Sequence, residues 1–349
     1  MPETEITKER RRPAQYNAVR EARSLANEVT LKQLTSLVKH DPASDIADFL
    51  KREATSYPLL VEELTASLGS TDPIVEPALN QTMRRGEILF ELHQTFVIAL
   101  GPEHAVKVTF DLDSDHVDNT EYLTTHLPDL PIPRCLGTIN CGKRTYMFMS
   151  RAPGTTLESV WPELSKSQKM SIQTQLNDIF RLLRAQSYPA LKADIRLGSF
   201  KSGICKDTRR VRRFSSKTLR TEAEFNDFLF CAPNRTVRPW IRDIRACMKE
   251  DHRMVMTHGD LHPRNIMVTM ETNESLGIGE TQEKVVMVSS IIDWETAGWY
   301  PESWEYVKAV SMADLRGPLR DWKNFLPTDA IGSYITEYSL DSLLDQWLR

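Results

Sequence analysis

The residues of this chain best suited to chemistry lie in two short segments of its second half. The first, 258–265, reads His-Gly-Asp-Leu-His-Pro-Arg-Asn and places Asn265 five positions after Asp260. The second places Asp293 directly after the mainly apolar run 285–292. ATP-dependent phosphoryl transfer uses a carboxylate that accepts a hydroxyl proton, together with an amide oxygen and a second carboxylate that hold magnesium. The types and spacing of these three residues match that template.

Each of the three residues has a role that its chemistry can fill. Asp260 is predicted to be the general base, and a base in that position contributes about 10²–10⁴-fold to the rate. Asn265 and Asp293 are predicted to be the metal ligands, because Mg²⁺ prefers hard oxygen donors and keeps several waters. A single loop aspartate is more often a cap or a turn residue. The joint occurrence of all three favours phosphoryl transfer.

The two histidines of the first segment allow a second interpretation. His258 and His262 lie four positions apart, and on a helix both would face one side, as zinc ligands do. Gly259 between them and the proline after them disfavour a helix. We therefore expect His258 to pack within the loop and brace it. Three roles remain possible for Arg264: its side chain could bind phosphates, support Asp260 or simply lie on the surface.

Three longer segments carry a resemblance to a known family. Residues 258–268, 291–302 and 304–308 resemble the aminoglycoside phosphotransferase family, particularly its large fungal branch. The resemblance implies an α+β, protein-kinase-like fold with a small antiparallel-sheet N-lobe and a larger, mainly helical C-lobe. It also implies transfer of the γ-phosphate of ATP, with Mg²⁺, to a small-molecule hydroxyl. Weaker segments agree in their order along the chain: 132–134, 149–154 and 225–229.

The nucleotide side is predicted from segments upstream of the catalytic loop. The runs 88–90, 95–100 and 105–110 are rich in β-branched and aromatic residues and predict strands. The resemblance then implies that Lys107, between two valines, binds the α- and β-phosphates. Its partner is predicted to be Glu121, in the helical segment that follows. An exposed strand lysine is the alternative for Lys107.

By the same resemblance, the next strand-like run leads into a hinge. Backbone groups near Met149 and Arg151 are expected to hydrogen-bond adenine. Two features depart from protein kinases: residues 86–95 contain a single glycine, and Trp294-Glu295 stands where Phe-Gly follows the metal aspartate. No glycine is therefore assigned to nucleotide binding. The second departure argues against a protein kinase and favours small-molecule phosphotransfer.

Composition and charge restrict the function classes. The 349 residues are 40% hydrophobic and 26% charged, which supplies a core for one large domain or two modest ones. The net charge of −4 gives no basic footprint for nucleic acid, and no run reaches the roughly 18 apolar residues of a membrane span. Five scattered cysteines without a C-x-x-C pair fit a reducing compartment, and no signal-peptide core is recognised. A cytoplasmic protein is expected.

Three parts are predicted along the chain. They are a polar helical extension over 1–72, an N-lobe over 73–150 with the nucleotide-binding sheet and helix, and a C-lobe over 151–349 with the catalytic loop, metal site and acceptor site. Apolar spacing over 164–186 predicts a core helix. The segment 201–220 holds eight Lys or Arg against one acidic residue. A solvated surface is favoured there over a loop that attracts an anionic substrate.

Several functions remain open on the sequence alone. The favoured one is a small-molecule kinase that uses ATP, with GTP as a second possible donor. The alternatives are a nucleotide-binding pseudokinase or interaction module without turnover, and a biosynthetic enzyme in which transient phosphorylation activates a hydroxyl for elimination or cyclisation. Resemblance at the level of the fold does not choose an acceptor.

Overall fold

A computed structural model describes most of the chain after residue 86. The described stretches are 87–92, 95–110, 114–141, 144–188, 196–209, 213–230, 239–271, 284–312 and 317–348. The predicted extension over 1–72 lies outside the described residues. Contacts divide the chain into two units. The first comprises the described part of Met1–Leu112 with Arg134–Arg151, and the second comprises Asp113–Pro133 with Ala152–Arg349.

The first unit is an antiparallel sheet. Its strands lie in the spatial order β1-β2-β3-β5-β4: β1 (Ile88–Leu92), β2 (Thr95–Ala99), β3 (His104–Phe110), β4 (Cys135–Cys141) and β5 (Arg144–Ser150). Apolar residues that face each other across the ladder, such as Val106 and Phe148, are buried on one side of the sheet. The sequence does not predict β4, because glycine and asparagine interrupt its apolar pattern. Pairing with β5 forms the strand.

The second unit is mainly helical. Its helices are α1 (Ser114–His126), α2 (Leu157–Val160), α3 (Lys166–Arg184), α4 (Glu222–Phe230), α5 (Pro239–Cys247), α6 (Trp304–Ser311), α7 (Thr328–Ile331) and α8 (Ile335–Leu348). Its strands are short: β6 (Thr155–Thr156), β7 (Lys206–Asp207), β8 (Arg213–Phe214), β9 (Met254–Thr257), β10 (Ile266–Glu271), β11 (Val285–Ile291) and β12 (Gly298–Pro301). The predicted α+β class is confirmed. Within the described stretches, no helix combines the length and apolar character needed to cross a membrane.

Two clusters of buried apolar residues form the core of the second unit. The larger collects side chains from α1, α3, β10 and β11 around the fully buried Trp161, Phe180 and Trp322. The smaller is built around Phe225 and Tyr300. Burying each such aromatic side chain stabilises the fold by about 2–3 kcal/mol. The two clusters give the site loops a rigid support.

Helix α1 groups with the second unit rather than with the sheet. The sequence interpretation put sheet and helix together in one lobe over 73–150. In the structure, the amide of Asn119 donates to the carbonyl oxygens of Trp294 and Ala297, at 3.0 and 2.9 Å. Leu123 is fully buried in the larger core cluster. These contacts attach the helix to the loop after β11, which explains the grouping.

The hairpin of β10 and β11 connects the two site segments. Its antiparallel register runs from Ile266 opposite Ile291 to Glu271 opposite Val285. Residues 272–283, between the strands, lie outside the described stretches. The strand ends nearest the site are paired, which keeps the two site segments side by side.

Candidate active site

The first site segment is a tight loop that follows β9. The chain leaves the strand through Gly259, whose φ of 78° lies in the left-handed region that favours glycine. A Cβ at this position would lie 2.9 Å from the carbonyl oxygen of Thr296. The hydroxyl of Thr296 donates to the carbonyl of His258 at 3.1 Å. The loop therefore packs directly on the second site segment, and only glycine permits that approach.

A buried carboxylate from α6 holds the same loop. Glu305 is fully buried and accepts the backbone N–H of His258 at 2.6 Å and that of Gly259 at 3.2 Å. An ionised acceptor makes these bonds about twice as strong as neutral ones. Sequence reasoning does not find this role. The available signal is a glutamate between two aromatic residues in the first turn of a helix.

His258 braces the loop, as expected from the sequence. Its Nδ1 accepts the backbone N–H of Asp260 at 3.1 Å, and its Nε2 lies 3.0 Å from the carbonyl oxygen of Ile292. An imidazole that accepts at Nδ1 donates at Nε2, so the ring links the two site segments. The ring also packs edge-on against Trp294, with centroids 4.5 Å apart. Both nitrogens are occupied, which leaves neither for zinc.

His262 is also engaged within the loop. Its Nδ1 accepts the backbone N–H of Arg264 at 3.2 Å. Burial, and then the positive charge of Arg264, lowers the pKa of His262 to about 4, although Asp260 opposes the shift. The ring is therefore neutral at pH 7. The zinc interpretation of the two histidines receives no support from their geometry.

Asp260 is held by two side chains from its own loop. Its carboxylate accepts from Nη2 of Arg264 at 3.0 and 3.2 Å, and from Nδ2 of Asn265 at 2.8 Å. Of the interpretations of Arg264, the structure shows the contact with Asp260. The carboxylate keeps 15% of its side-chain surface exposed. It is oriented by neighbours and accessible to solvent.

The amide of Asn265 is oriented by the same carboxylate. Both hydrogens of Nδ2 are used, one on Oδ2 of Asp260 at 2.8 Å and one on its backbone carbonyl at 2.9 Å. This arrangement leaves the amide oxygen as the donor atom for a cation. The backbone carbonyl of Asn265 accepts the N–H of Ile292 at 2.9 Å. The loop and the residue before Asp293 are therefore directly bonded.

Asp293 has an unusual backbone. Its φ of 67° and ψ of 61° make it left-handed, and among the described residues no other non-glycine has a positive φ. Such a conformation costs of the order of 1–3 kcal/mol and occurs where the surrounding structure enforces it, often at functional sites. The turn that follows, Trp294–Thr296, is fixed because Nε1 of Trp294 donates to the carbonyl of Ile291 at 2.8 Å.

One group of side chains has its donor atoms close enough together to hold an ion. Within the described stretches it consists of His116 from α1 with Asp293 and Glu295, and the donor atoms lie within 4.8 Å of one another. Nδ1 of His116 is 3.7 Å from Oδ1 of Asp293 and 3.9 Å from Oε2 of Glu295. Sequence reasoning finds Asp293 but neither of its two neighbours.

Lys308 adds a buried cation near the loop. Its side chain is almost fully buried, and its Nζ has no hydrogen-bond partner within the described part of the chain. Burial, and then repulsion by Arg209, lowers its pKa, whereas Asp207, Asp260 and Glu305 act to raise it. Lys308 therefore lies among charged groups that include the predicted base.

The basic segment 201–220 is not simply a solvated surface. Lys206 is buried and pairs with Asp115 of α1 at 2.6 Å, and its Nζ also lies 3.2 Å from the carbonyl oxygen of Glu295. The side chain of Arg209 is buried as well, and the carboxylates of Asp207 and Asp341 compensate its charge. The surface interpretation is wrong for these two residues, although Lys201 is exposed as expected.

The predicted nucleotide-binding residues lie apart from this loop in the chain. Lys107 is partly buried on β3, between Val97 of β2 and Met147 of β5. Met149 is a partly buried residue of β5. The backbone N–H of Arg151 donates to the carbonyl of Glu103 at 2.7 Å. That N–H is therefore already bonded within the first unit, and the role of these backbone groups in adenine binding stays a prediction.

Glu121 belongs to the second unit, whereas Lys107 belongs to the first. It is exposed on α1. The buried face of the helix instead carries other residues: Asp115, His116, Asn119, Thr120 and Leu123. The pairing of Lys107 with Glu121 stays a prediction.

Comparison with known protein families identifies the family of this chain. The profile of the phosphotransferase enzyme family APH matches residues 114–330, and the chain belongs to this family. A comparison with curated protein sequences returned no significant match.

Several solved structures are similar to this chain. A ternary complex of APH(2″)-IIa with streptomycin and ATP has 10% identity, covers 79% of this chain and 88% of its own, and gives a TM-score of 0.44. The aminoglycoside phosphotransferase APH(3″)-Id from Streptomyces rimosus has 14% identity, covers 74% and 91%, and gives a TM-score of 0.44. ADP-bound APH(2″)-Ib has 11% identity, covers 75% and 80%, and gives 0.41. At these values the similarities carry no argument about the acceptor.

Proposed function

We propose that the protein transfers the γ-phosphate of ATP to a hydroxyl of a small molecule. One observation carries the proposal: the loop with Asp260 and Asn265 is hydrogen-bonded to the segment that leads into Asp293. A proton acceptor and two oxygen donors for a cation thus belong to one connected structure, as phosphoryl transfer requires. Membership of the phosphotransferase enzyme family agrees with this chemistry.

Asp260 acts as the general base in this proposal. Its carboxylate takes the proton of the acceptor hydroxyl, and Arg264 and Asn265 orient it for that step. Arg264 also places a positive charge next to the carboxylate that would receive the proton. Glu305 and His258 keep the loop in place through backbone bonds and take no part in proton transfer.

The donor set fits a magnesium ion. The amide oxygen of Asn265 and the carboxylate of Asp293 are hard oxygen donors, which Mg²⁺ prefers. Bound Mg²⁺ neutralises charge on the phosphates of the nucleotide. The orientation of the Asn265 amide supports the assignment, since both of its hydrogens bond to Asp260 and leave the amide oxygen for an ion.

The remaining assignments complete the proposal for the nucleotide. Lys107 contacts the α- and β-phosphates and is paired with Glu121, and backbone groups near Met149 and Arg151 bind adenine. The acceptor is a small molecule rather than nucleic acid, because the net charge of −4 lacks the overall basic character typical of nucleic-acid-binding domains. A cytoplasmic location fits the scattered cysteines.

The test of the proposal is the substitution Asp260→Asn. We expect turnover, measured as ADP release over a panel of hydroxylated acceptors, to fall by about 10²–10⁴-fold, because the general base is lost. ATP affinity, measured by calorimetry, should stay within about threefold of the wild type, because the amide preserves shape. Asp251→Asn, at an exposed position of the preceding loop, is the matched control.

Two results would contradict the proposal. Unchanged turnover in Asp260→Asn would remove Asp260 as the base. ATP binding by the wild type without hydrolysis or transfer on any acceptor would instead favour a pseudokinase, an alternative that the missing glycine-rich cover keeps open.

A further inference from the structure

The side chain of His116 lies where the proposed metal ligand Asp293 offers its carboxylate. His116 keeps only 6% of its side-chain surface exposed, whereas Asp293 and Glu295 keep 31% and 40%. The cluster thus combines the buried imidazole of His116 with two carboxylates that are accessible to solvent. An ion can reach the cluster from the side of the carboxylates.

The separations within this cluster suit a coordinated ion. Two ligand atoms each about 2.1 Å from a metal lie about 3.0 Å apart at a right angle and about 4.2 Å apart when opposed. Nδ1 of His116 is 3.7 Å from Oδ1 of Asp293 and 3.9 Å from Oε2 of Glu295, between these limits. All three donor atoms lie within 4.8 Å of one another.

Neighbours of His116 in α1 hold the cluster together. Asn119, one turn along the helix, donates to the carbonyls of Trp294 and Ala297, which flank Glu295 on both sides. Asp115 pairs with Lys206 at 2.6 Å, and Lys206 Nζ lies 3.2 Å from the carbonyl oxygen of Glu295. Helix and loop are therefore attached on either side of the histidine. A rigid frame of this kind reduces the ordering needed to bind an ion.

We propose that His116, Asp293 and Glu295 together bind a divalent transition metal more tightly than Mg²⁺ in the absence of nucleotide, with Mn²⁺ as the probe. The reason is the nitrogen donor. Imidazole suits transition ions such as Fe²⁺, Ni²⁺ and Zn²⁺, whereas Mg²⁺ prefers oxygen ligands and gives up its waters reluctantly. The inference rests on the proposed function only in taking Asp293 as a metal ligand. His116 and Glu295 are additional ligands that set the choice of ion.

The test uses Mn²⁺ alone, without nucleotide or acceptor, on the full chain. Pulsed electron paramagnetic resonance of bound Mn²⁺ should show modulation from a directly coordinated ¹⁴N, and His116→Ala should abolish it. In calorimetric titrations His116→Ala should weaken Mn²⁺ binding by about tenfold or more, with the Mg²⁺ affinity changed by less than about threefold. Glu295→Gln should weaken Mn²⁺ binding but retain the nitrogen signal.

The controls separate a ligand from a structural role. His126→Ala removes an exposed histidine of the same helix and should change neither signal nor affinity. His116→Gln keeps a polar side chain of similar length, and circular dichroism confirms that each variant is folded. If His116 only balanced the charge of the two carboxylates, its removal would leave Mn²⁺ affinity unchanged or increase it.

Three results would overturn the proposal: a wild type without Mn²⁺ binding or without a nitrogen signal, a nitrogen signal that persists in His116→Ala, or equal weakening of Mg²⁺ and Mn²⁺. None of these measurements requires turnover. A protein that binds Mn²⁺ as described but transfers no phosphate would refute the proposed function and leave the metal site standing.

Discussion

The amide of Asn119 makes hydrogen bonds with four partners in the interior of the second unit. Nδ2 donates to the carbonyls of Trp294 and Ala297, and Oδ1 accepts from the hydroxyl of Ser199 at 2.8 Å and from the N–H of Phe200 at 3.2 Å. The side chain is fully buried, and its hydrogen-bonding capacity is completely used. Asn119→Leu keeps the approximate size and removes all four bonds.

The loss of stability in Asn119→Leu can be worked out from these four bonds. A typical internal hydrogen bond contributes about 0.5–1.5 kcal/mol net, and a buried partner left unsatisfied costs more. Four bonds therefore correspond to a loss of about 2–6 kcal/mol in the free energy of unfolding. Because Trp294 and Ala297 flank Glu295, the loop that carries Asp293 loses its anchor in the same variant, and we expect turnover to fall as well.

Urea denaturation followed by circular dichroism measures this loss. The matched control is Asn177→Leu, since Asn177 is also buried but its Oδ1 accepts a single bond, from the N–H of Ala330 at 3.0 Å. The control should lose about 0.5–1.5 kcal/mol. If Asn119→Leu costs no more than Asn177→Leu, the four-bond account of this residue is refuted.

Two further predictions concern the catalytic loop. Glu305→Gln should lower the free energy of unfolding by about 2–3 kcal/mol and reduce turnover, because a neutral oxygen replaces a buried carboxylate that accepts two loop N–H groups. The control Glu250→Gln, at an exposed glutamate that pairs with Arg245, should cost at most about 1 kcal/mol in the same urea titrations, and equal losses would contradict this role of Glu305. His262 has a pKa of about 4, below its ordinary value of about 6.5, so the unfolded chain takes up a proton first as the pH falls. The folded state is therefore favoured by the neutral ring of His262 in full above about pH 6.5, and this contribution to the free energy of unfolding is lost as the pH falls to 4. Allowing for solvent screening, the contribution amounts to about 2 kcal/mol. Between pH 7 and pH 4, the free energy of unfolding should fall less in His262→Gln than in the wild type. Parallel curves for the two proteins would exclude this role of His262.

Local patterns in the sequence were sufficient to predict part of the fold and part of the candidate site. The positions of Asp260 and Asn265 within one loop, and of Asp293 after a strand, follow from spacing along the chain. Alternation and helical periodicity likewise predicted four strands of the sheet and the core helix α3, because those signals arise from neighbouring residues. The family resemblance rests on the same short segments, and the family profile confirms it.

Other features depend on contacts between distant parts of the chain, and only the tertiary structure decided them. Glu305 reaches the loop from 47 positions away, and His116 meets Asp293 from a helix that the sequence interpretation had grouped with the sheet. Lys206 and Arg209 looked like surface charges, yet each is buried against acidic partners. No local pattern encodes such pairings, since burial and charge compensation are set by how whole elements pack.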